Sequence, residues 1–364
     1  MIIVTGSAGF IGSHIAEFYA KNHRLLLVDI PDYFRTRKTF NPDDSSLWDW
    51  ATGTENKESR HKIIDRRYFV KVLESIRPET PANDRSAKEK VLLPPGERIE
   101  AIIHLGACTN TAETRKDFLE EWNVNYSKSI WNWCAKHKVP LIYASSGATY
   151  GNGEAGFSDS WETALKLKPM NPYGQSKQDF DLWVYEQQKL GNVPPSWYGL
   201  KFFNVYGECE FHKGPMASPV LHSYRQILRT GECRLFRSHN PACKDGEQSR
   251  DFIYVNDIVK LTDFFFKKLP ESGLYNCGTG QARTFRSMME ALFQSVQKPM
   301  RIQWVDTPEQ YRKAYQYFTQ ADMSRVSALD FTDSFCTLEH GVKQYIDWLQ
   351  RQDLALVSGG ALPN

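Results

Sequence analysis

What the chain lacks narrows its chemistry first. Its seven cysteines (Cys108, Cys134, Cys209, Cys233, Cys243, Cys277 and Cys336) include no Cys-x-x-Cys pair. An odd, scattered set argues against a disulfide framework and against a zinc site. No charge of one sign dominates: 45 basic and 43 acidic residues leave a formal +2, so there is no general case for a nucleic-acid or membrane partner, and any anion site has to be local. No apolar run approaches the roughly 20 residues of a membrane span, no basic leader precedes the strand-like residues that begin at Ile2, and no repeat of fixed period is present. The expectation is a soluble protein of the reducing cytoplasm, without a metal. At 364 residues the chain suffices for one large α/β domain with a smaller lobe, or for two domains.

What is present starts with a β-rich run, Met1 to Thr5, followed by Gly6-Ser7-Ala8-Gly9-Phe10-Ile11-Gly12 and a helical pattern to about Lys21. Strand, glycine turn and helix form the first unit of a dinucleotide-binding fold. Small residues let the backbone approach a pyrophosphate, which then meets the free N–H groups of a helix start. The second strand, Arg24 to Val28, ends in Asp29 with Ile30 after it, where a carboxylate takes adenosine ribose hydroxyls. Arg35, Arg37 and Lys38 lie close by and would neutralise a ribose 2′-phosphate. They favour NADP, with NAD the alternative. Two stretches, about 39–60 and 78–98, read as surface insertions around a strand at Lys62–Asp65 and a helix near Tyr68 to Ile76. Ile99 to Ala107 reads as a buried parallel strand. Its end, Leu105, Gly106, Ala107 and Cys108, lines the cofactor, and His104 is expected in the interior.

Tyr173 and Lys177 stand four residues apart after Pro172, a residue suited to a helix start. That spacing is a little over one turn, roughly 6 Å along the axis, so the two side chains share a face. A free phenol has a pKa about 10. A cation about 4 Å away at an effective dielectric near 20 contributes roughly the 4 kcal/mol that brings it near neutrality. Tyr173 is therefore a candidate acid/base. Leu141 to Ala144 reads as a buried strand running into Ser145 and Ser146, and a serine at a strand end hydrogen-bonds the same substrate oxygen.

Ser146, Tyr173 and Lys177, in that order, resemble the catalytic set of the extended short-chain dehydrogenase/reductase superfamily, as does the G-x-x-G-x-x-G spacing. Further along, Phe203-Asn204-Val205-Tyr206-Gly207, His212-Lys213-Gly214-Pro215-Met216-Ala217-Ser218, Arg250-Asp251-Phe252, Asn276-Cys277-Gly278-Thr279-Gly280 and Gln316-Tyr317-Phe318-Thr319-Gln320-Ala321-Asp322 resemble the ADP-L-glycero-D-manno-heptose 6-epimerase family. The match spans nearly the whole chain outside the insertions and the last dozen residues. It implies an α/β Rossmann-type fold, a doubly wound parallel sheet over 1–203 with a smaller C-terminal α/β substrate lobe over 204–364, and a return of about 251–268 to the first domain. It also implies a nucleotide-sugar substrate, a homo-oligomer and a place in lipopolysaccharide core biosynthesis. By the same resemblance Asn123 lies by the cofactor, as does Val205, and Lys177 reaches the nicotinamide ribose. Asn204, His222, Phe236, Arg237, Ser238, His239, Arg250 and Tyr315 then contact the substrate, Arg250 taking a diphosphate bidentately.

Inverting a secondary alcohol without net redox change proceeds by removing hydride and returning it to the other face, so the nicotinamide must stay tightly bound. The carbonyl oxygen then occupies two positions, which calls for two acid/base groups or a moving intermediate. Tyr173 suits one; Lys213, the lysine matching the family's second base, suits the other. Pro215 stands where family members commonly carry a substrate-touching serine, Leu105 replaces a polar residue, and Ser238 to Ser249 is longer than usual. Competing readings are a 4-epimerase, a heptose epimerase with another nucleotide, and a catalytically silent cofactor-binding protein. A 4,6-dehydratase is disfavoured because Gly147 and Ala148 occupy the place of its acid/base pair.

Overall fold

The computed structural model describes residues 1–37, 61–76, 97–312 and 315–357. The expected insertions therefore lie almost wholly outside the described residues, as do Lys38 and the side chain of Arg35. The first half alternates strand and helix: β1 (Ile2–Thr5), α1 (Phe10–Ala20), β2 (Leu25–Asp29), α2 (Pro31–Thr36), β3 (Lys62–Asp65), α3 (Arg66–Ser75) and β4 (Ala101–His104). Then come α4 (Tyr126–His137), β5 (Leu141–Ser146), α5 (Pro172–Lys189) and β6 (Trp197–Phe202). The second half has β7 (Asn204–Tyr206), α6 (Pro219–Thr230), β8 (Cys233–Phe236), β9 (Ser249–Tyr254), α7 (Val255–Lys268) and β10 (Gly273–Cys277). It closes with β11 (Ala282–Thr284), α8 (Phe285–Ser295), β12 (Ile302–Val305) and α9 (Leu338–Val357).

The main sheet has seven strands in the order β10-β6-β5-β4-β1-β2-β3, all parallel. Along β1, Ile3 enters a core with Leu26, Val28, Ile102 and Trp131, while Ile2 and Val4 enter a second core with Ile15, Tyr19 and Val259. Both faces are covered, which is why these strands read as unbroken apolar runs. Strand order reverses between β1 and β4, the place where such sheets open a crevice at their carboxyl ends.

Of the second half, Ile258, Leu261 and Phe265 of α7 pack on the main sheet with Tyr198 and Leu200, while β9 pairs with β7 and β11 in a separate three-stranded sheet. Gly273–Cys277, inside the stretch assigned to the smaller lobe, is the seventh strand of the main sheet. The lobe's own core joins Val220 and Leu221 of α6, Met288 and Leu292 of α8, and Val342 and Ile346 of α9. The helix expected from Phe118 to His137 is present but begins at Lys116 and contains a π-helical stretch, Glu120–Asn125, before α4. Such widened turns concentrate at functional sites.

Candidate active site

Local chemistry at the start of α5 sets the first candidate catalytic group. Asn171 Oδ1 accepts the Gly174 N–H at 2.7 Å, and Pro172 opens the helix. A Cβ on Gly174 would stand 2.8 Å from Ala148 O, so this helix end can lie against the turn after β5 only with glycine there. The approach sets Tyr173 in hydrogen-bonding contact with Ser146. Burial raises the Tyr173 phenol above its ordinary value, opposed by the Ser146 hydrogen bond. Lys177 Nζ donates to Ala144 O at 2.8 Å, and burial takes its pKa down to about 8, opposed by Asp181. The cation expected to hold Tyr173 near neutrality is thus engaged with the β5 backbone, and burial dominates the phenol.

Behind this group lies a polar knot that periodicity does not reveal. Asp181, one turn beyond Lys177, pairs with Lys201 of β6 at 2.7 Å, both fully buried. Its carboxylate also accepts the Ser145 and Tyr143 hydroxyls at 2.6 and 3.1 Å. His104 is an interior histidine, its Nδ1 2.7 Å from Thr5 Oγ1 and its Nε2 2.9 Å from Ser127 Oγ. Burial lowers its pKa to about 3, so it stays neutral.

The glycine fingerprint is a set of backbone contacts. Gly6 has φ +70°, and a Cβ on it would meet Gly106 N at 2.7 Å; one on Gly12 would meet Gly6 O at 2.0 Å. Asp29 is buried at the end of β2, its Oδ2 accepting the Ala8 N–H at 3.0 Å and its Oδ1 the Ile30 N–H at 2.8 Å. The carboxylate therefore holds the fingerprint turn. Across the crevice, Leu105 and Gly106 donate to Thr5 O and Oγ1. Ala107 is half-buried. Asn123, in the π-helical stretch, accepts the Cys108 N–H at 2.8 Å and donates to Cys108 O and Ser176 Oγ. It fastens the loop after β4 to α5. Ile11 of α1, Leu105 just after β4 and Val205 of β7 flank one cluster.

The second half contributes from irregular segments. Lys213 is half-buried on the short turn Phe211–Met216, its Nζ 4.9 Å from the Phe10 ring and 3.7 Å from Glu210 Oε2. Burial lowers its pKa and Glu210 opposes the fall. The hydroxyl of Thr111 donates to Met216 Sδ at 3.3 Å, tying this turn to the loop after β4. No hydrogen bond joins Tyr173 to Lys213.

Arg250 is buried, donating to Ser249 O and Gln316 O with its guanidinium 5.6 Å from the Tyr315 ring. No carboxylate among the described residues pairs with it, and burial lowers its pKa. Asn204 donates to Thr319 Oγ1 at 3.4 Å, and His222 Nε2 is buried without a hydrogen-bond partner among the described residues. Phe236 is 40% exposed, Arg237 lies 3.9 Å from Asp306, and the Ser238 N–H donates to Asp245. His239 links Tyr317 and Thr307 through its N–H and Nε2. Asp251 was not among the expected site residues, yet it accepts from Thr279, Gly280 and Ala321 backbone N–H groups. It pins β9 to the segments around Arg250.

Residues 2–278 match the model of the NAD dependent epimerase/dehydratase family. The chain belongs to this family. Within it, the chain is 44% identical over 350 residues to the ADP-L-glycero-D-manno-heptose-6-epimerase of Nitratidesulfovibrio vulgaris, covering 95% of this chain and 97% of that protein. It is 39% identical over 365 residues to the protein of the same name from Fusobacterium nucleatum, covering 97% and 99%. Among solved structures, the ADP-L-glycero-D-manno-heptose-6-epimerase of Helicobacter pylori shares the fold at TM-score 0.72 and 24% identity, with 96% of each chain covered. The UDP-N-acetylglucosamine 4-epimerase of Methanobrevibacter ruminantium shares it at 0.72 and 20%, with 96% and 98% covered.

A family member of this kind uses a nicotinamide dinucleotide, and the residues present fit one. The α1 start has no side-chain cap and no acid in its first turn, and a Cβ on Gly9 would meet nothing within 4 Å except Gly6. That leaves room for a pyrophosphate beside free N–H groups. Sequence reasoning missed Arg66, half-buried over the Trp122 ring at 4.3 Å, its Nε buried without a hydrogen-bond partner among the described residues. Both Arg37 and Arg66 act electrostatically on Asp29. Only the fold brings Arg66, the first residue after β3, to that carboxylate.

Proposed function

We propose that the chain converts ADP-D-glycero-D-manno-heptose to ADP-L-glycero-D-manno-heptose by inversion at C-6 through a transient carbonyl, with the cofactor retained. Identity of 39% and 44% over nearly the full length of proteins of that name carries the reading. The dinucleotide, when bound, takes up hydride and returns it. Gly6, Gly9, Phe10, Ile11 and Gly12 would hold its pyrophosphate, Asp29 and Ile30 its adenosine ribose, and Lys177 its nicotinamide ribose. Leu105, Gly106, Ala107, Cys108 and Val205 would flank it.

Tyr173 removes and returns the proton on the C-6 oxygen in one position, with Ser146 sharing that oxygen. Lys213 serves the oxygen in its other position. Arg250, buried without a carboxylate partner among the described residues, takes the diphosphate of the substrate. The favoured cofactor is NADP: Arg37 and Arg66 both act on Asp29, with Arg66 shared by Asp65, and these guanidiniums would meet a 2′-phosphate there. The protein is proposed to be a cytoplasmic homo-oligomer. Among the described residues no helix is long and apolar enough to cross a membrane, and sedimentation at working concentration decides the subunit number.

Purified protein incubated with ADP-D-glycero-D-manno-heptose and no added nicotinamide tests the reaction, with C-6 followed by NMR and the released cofactor identified by mass. Conversion with bound NADP is expected. No conversion by a cofactor-loaded protein would point to another nucleotide or sugar position.

A further inference from the structure

A carboxylate taken entirely out of water has to be matched by donors or a cation. Glu210 is 0% exposed. Its Oε2 accepts the Ser218 N–H at 2.7 Å, its Oε1 accepts the Ser218 hydroxyl, and its ion-pair partner is Lys213 at 3.7 Å. Ser218 caps α6 and Tyr345 faces the carboxylate from α9, so Glu210 sits where three segments of the lobe meet. The ammonium it faces also lies over the ring of Phe10, in the first turn of the fingerprint helix.

We infer that Glu210 is the positioning residue for Lys213: it holds the amine at the mouth of the crevice and sets the pH at which that amine exchanges its proton. The inference rests on the reading of Lys213 as the second acid/base group. Burial has the larger effect on Lys213 and lowers its pKa, and Glu210 is the carboxylate that opposes the fall. Among the described residues, other charged and titratable groups also lie around this pair. His212 on the same turn is taken down to about 4 by burial, with Arg37 and Lys213 adding to the fall. On the α9 side Tyr345 is held protonated by burial, and Glu210, Glu208 and Cys209 act on it. Neither neutral His212 nor protonated Tyr345 supplies the negative charge that Glu210 does.

The test follows Lys213 itself, so that it does not depend on turnover. Reductive methylation of the cofactor-loaded protein, quantified at Lys213 by mass spectrometry across pH, gives the midpoint of its ionisation. Glu210→Gln keeps the acceptor for the Ser218 N–H and removes the charge; the midpoint should fall by about one pH unit, the Coulomb effect discounted because the Lys213 side chain is partly exposed. Ser218→Ala removes a hydroxyl that competes for the carboxylate, and the midpoint should rise; this variant decides the matter if Glu210→Gln does not fold. Glu210→Asp should recover part of the shift. Midpoints unmoved in folded variants overturn the inference. A moved midpoint with an unmoved pH profile of epimerisation supports Glu210 as the partner of Lys213 and overturns Lys213 as an acid/base group.

Discussion

In the cofactor half of the crevice, backbone lies on backbone: Gly6 against Gly106 and Gly12 against Gly6, with no room for a methyl group. In the substrate half, Lys213 rides a six-residue turn whose Gly214, at φ +52°, has nothing within 4 Å of where a Cβ would stand. The first half is specified by close approach, and the second by side chains such as Glu210 and Asp251 that tie irregular segments together. A dinucleotide that stays bound through each turnover needs a fixed cradle, whereas a sugar whose C-6 oxygen takes two positions needs anchors at its far end and either two proton carriers or an intermediate that moves.

Substitution should expose that contrast. Gly12→Ala puts a Cβ 2.0 Å from Gly6 O, and a loss on the order of 3 kcal/mol should appear as a large fall in melting temperature and loss of bound cofactor. Arg250→Met should leave folding and cofactor content intact while raising KM for the nucleotide sugar about 10- to 100-fold, the worth of charge-assisted hydrogen bonds. An unchanged KM would remove Arg250 from the diphosphate site.

Lys177, taken down to about 8, gives a pH dependence with a definite sign. As pH rises through about 8 the ammonium loses its proton, the site loses the positive charge one helical turn from the buried Tyr173 phenol, and kcat falls. In Lys177→Arg the guanidinium stays charged, so that limb should vanish from the kcat profile even if the rate is lower. The smallest effect is expected at Pro215→Ser, on the exposed turn, where stability should change by no more than about 0.5 kcal/mol by chemical denaturation.

Much of the cofactor half was legible because its chemistry sits at the ends of regular strands. Gly6, Asp29, Gly106 and Ser146 each follow or end an apolar run, and helix spacing relates Tyr173 to Lys177. What was not legible depends on distant partners. Arg66 reaches Asp29 only through the β2–β3 pairing, and Gly273–Cys277 is recognisable as a main-sheet strand only beside β6. The engagement of Lys177 with Ala144 O crosses from helix to strand, which no local pattern encodes. In the substrate half the motifs around Lys213 and Arg250 were readable by resemblance, but Glu210 and Asp251 were not, since a buried carboxylate and a solvated one look alike in sequence.

The central claim is that the substrate half supplies proton transfer as well as binding. It is tested most directly by NMR of C-6 epimerisation in cofactor-loaded Lys213→Met and Tyr173→Phe, with substrate binding measured by calorimetry. Both variants should bind the nucleotide sugar and each should lose about 10²- to 10⁴-fold in conversion. Full conversion by Lys213→Met would contradict the claim and leave Tyr173 as the single proton carrier.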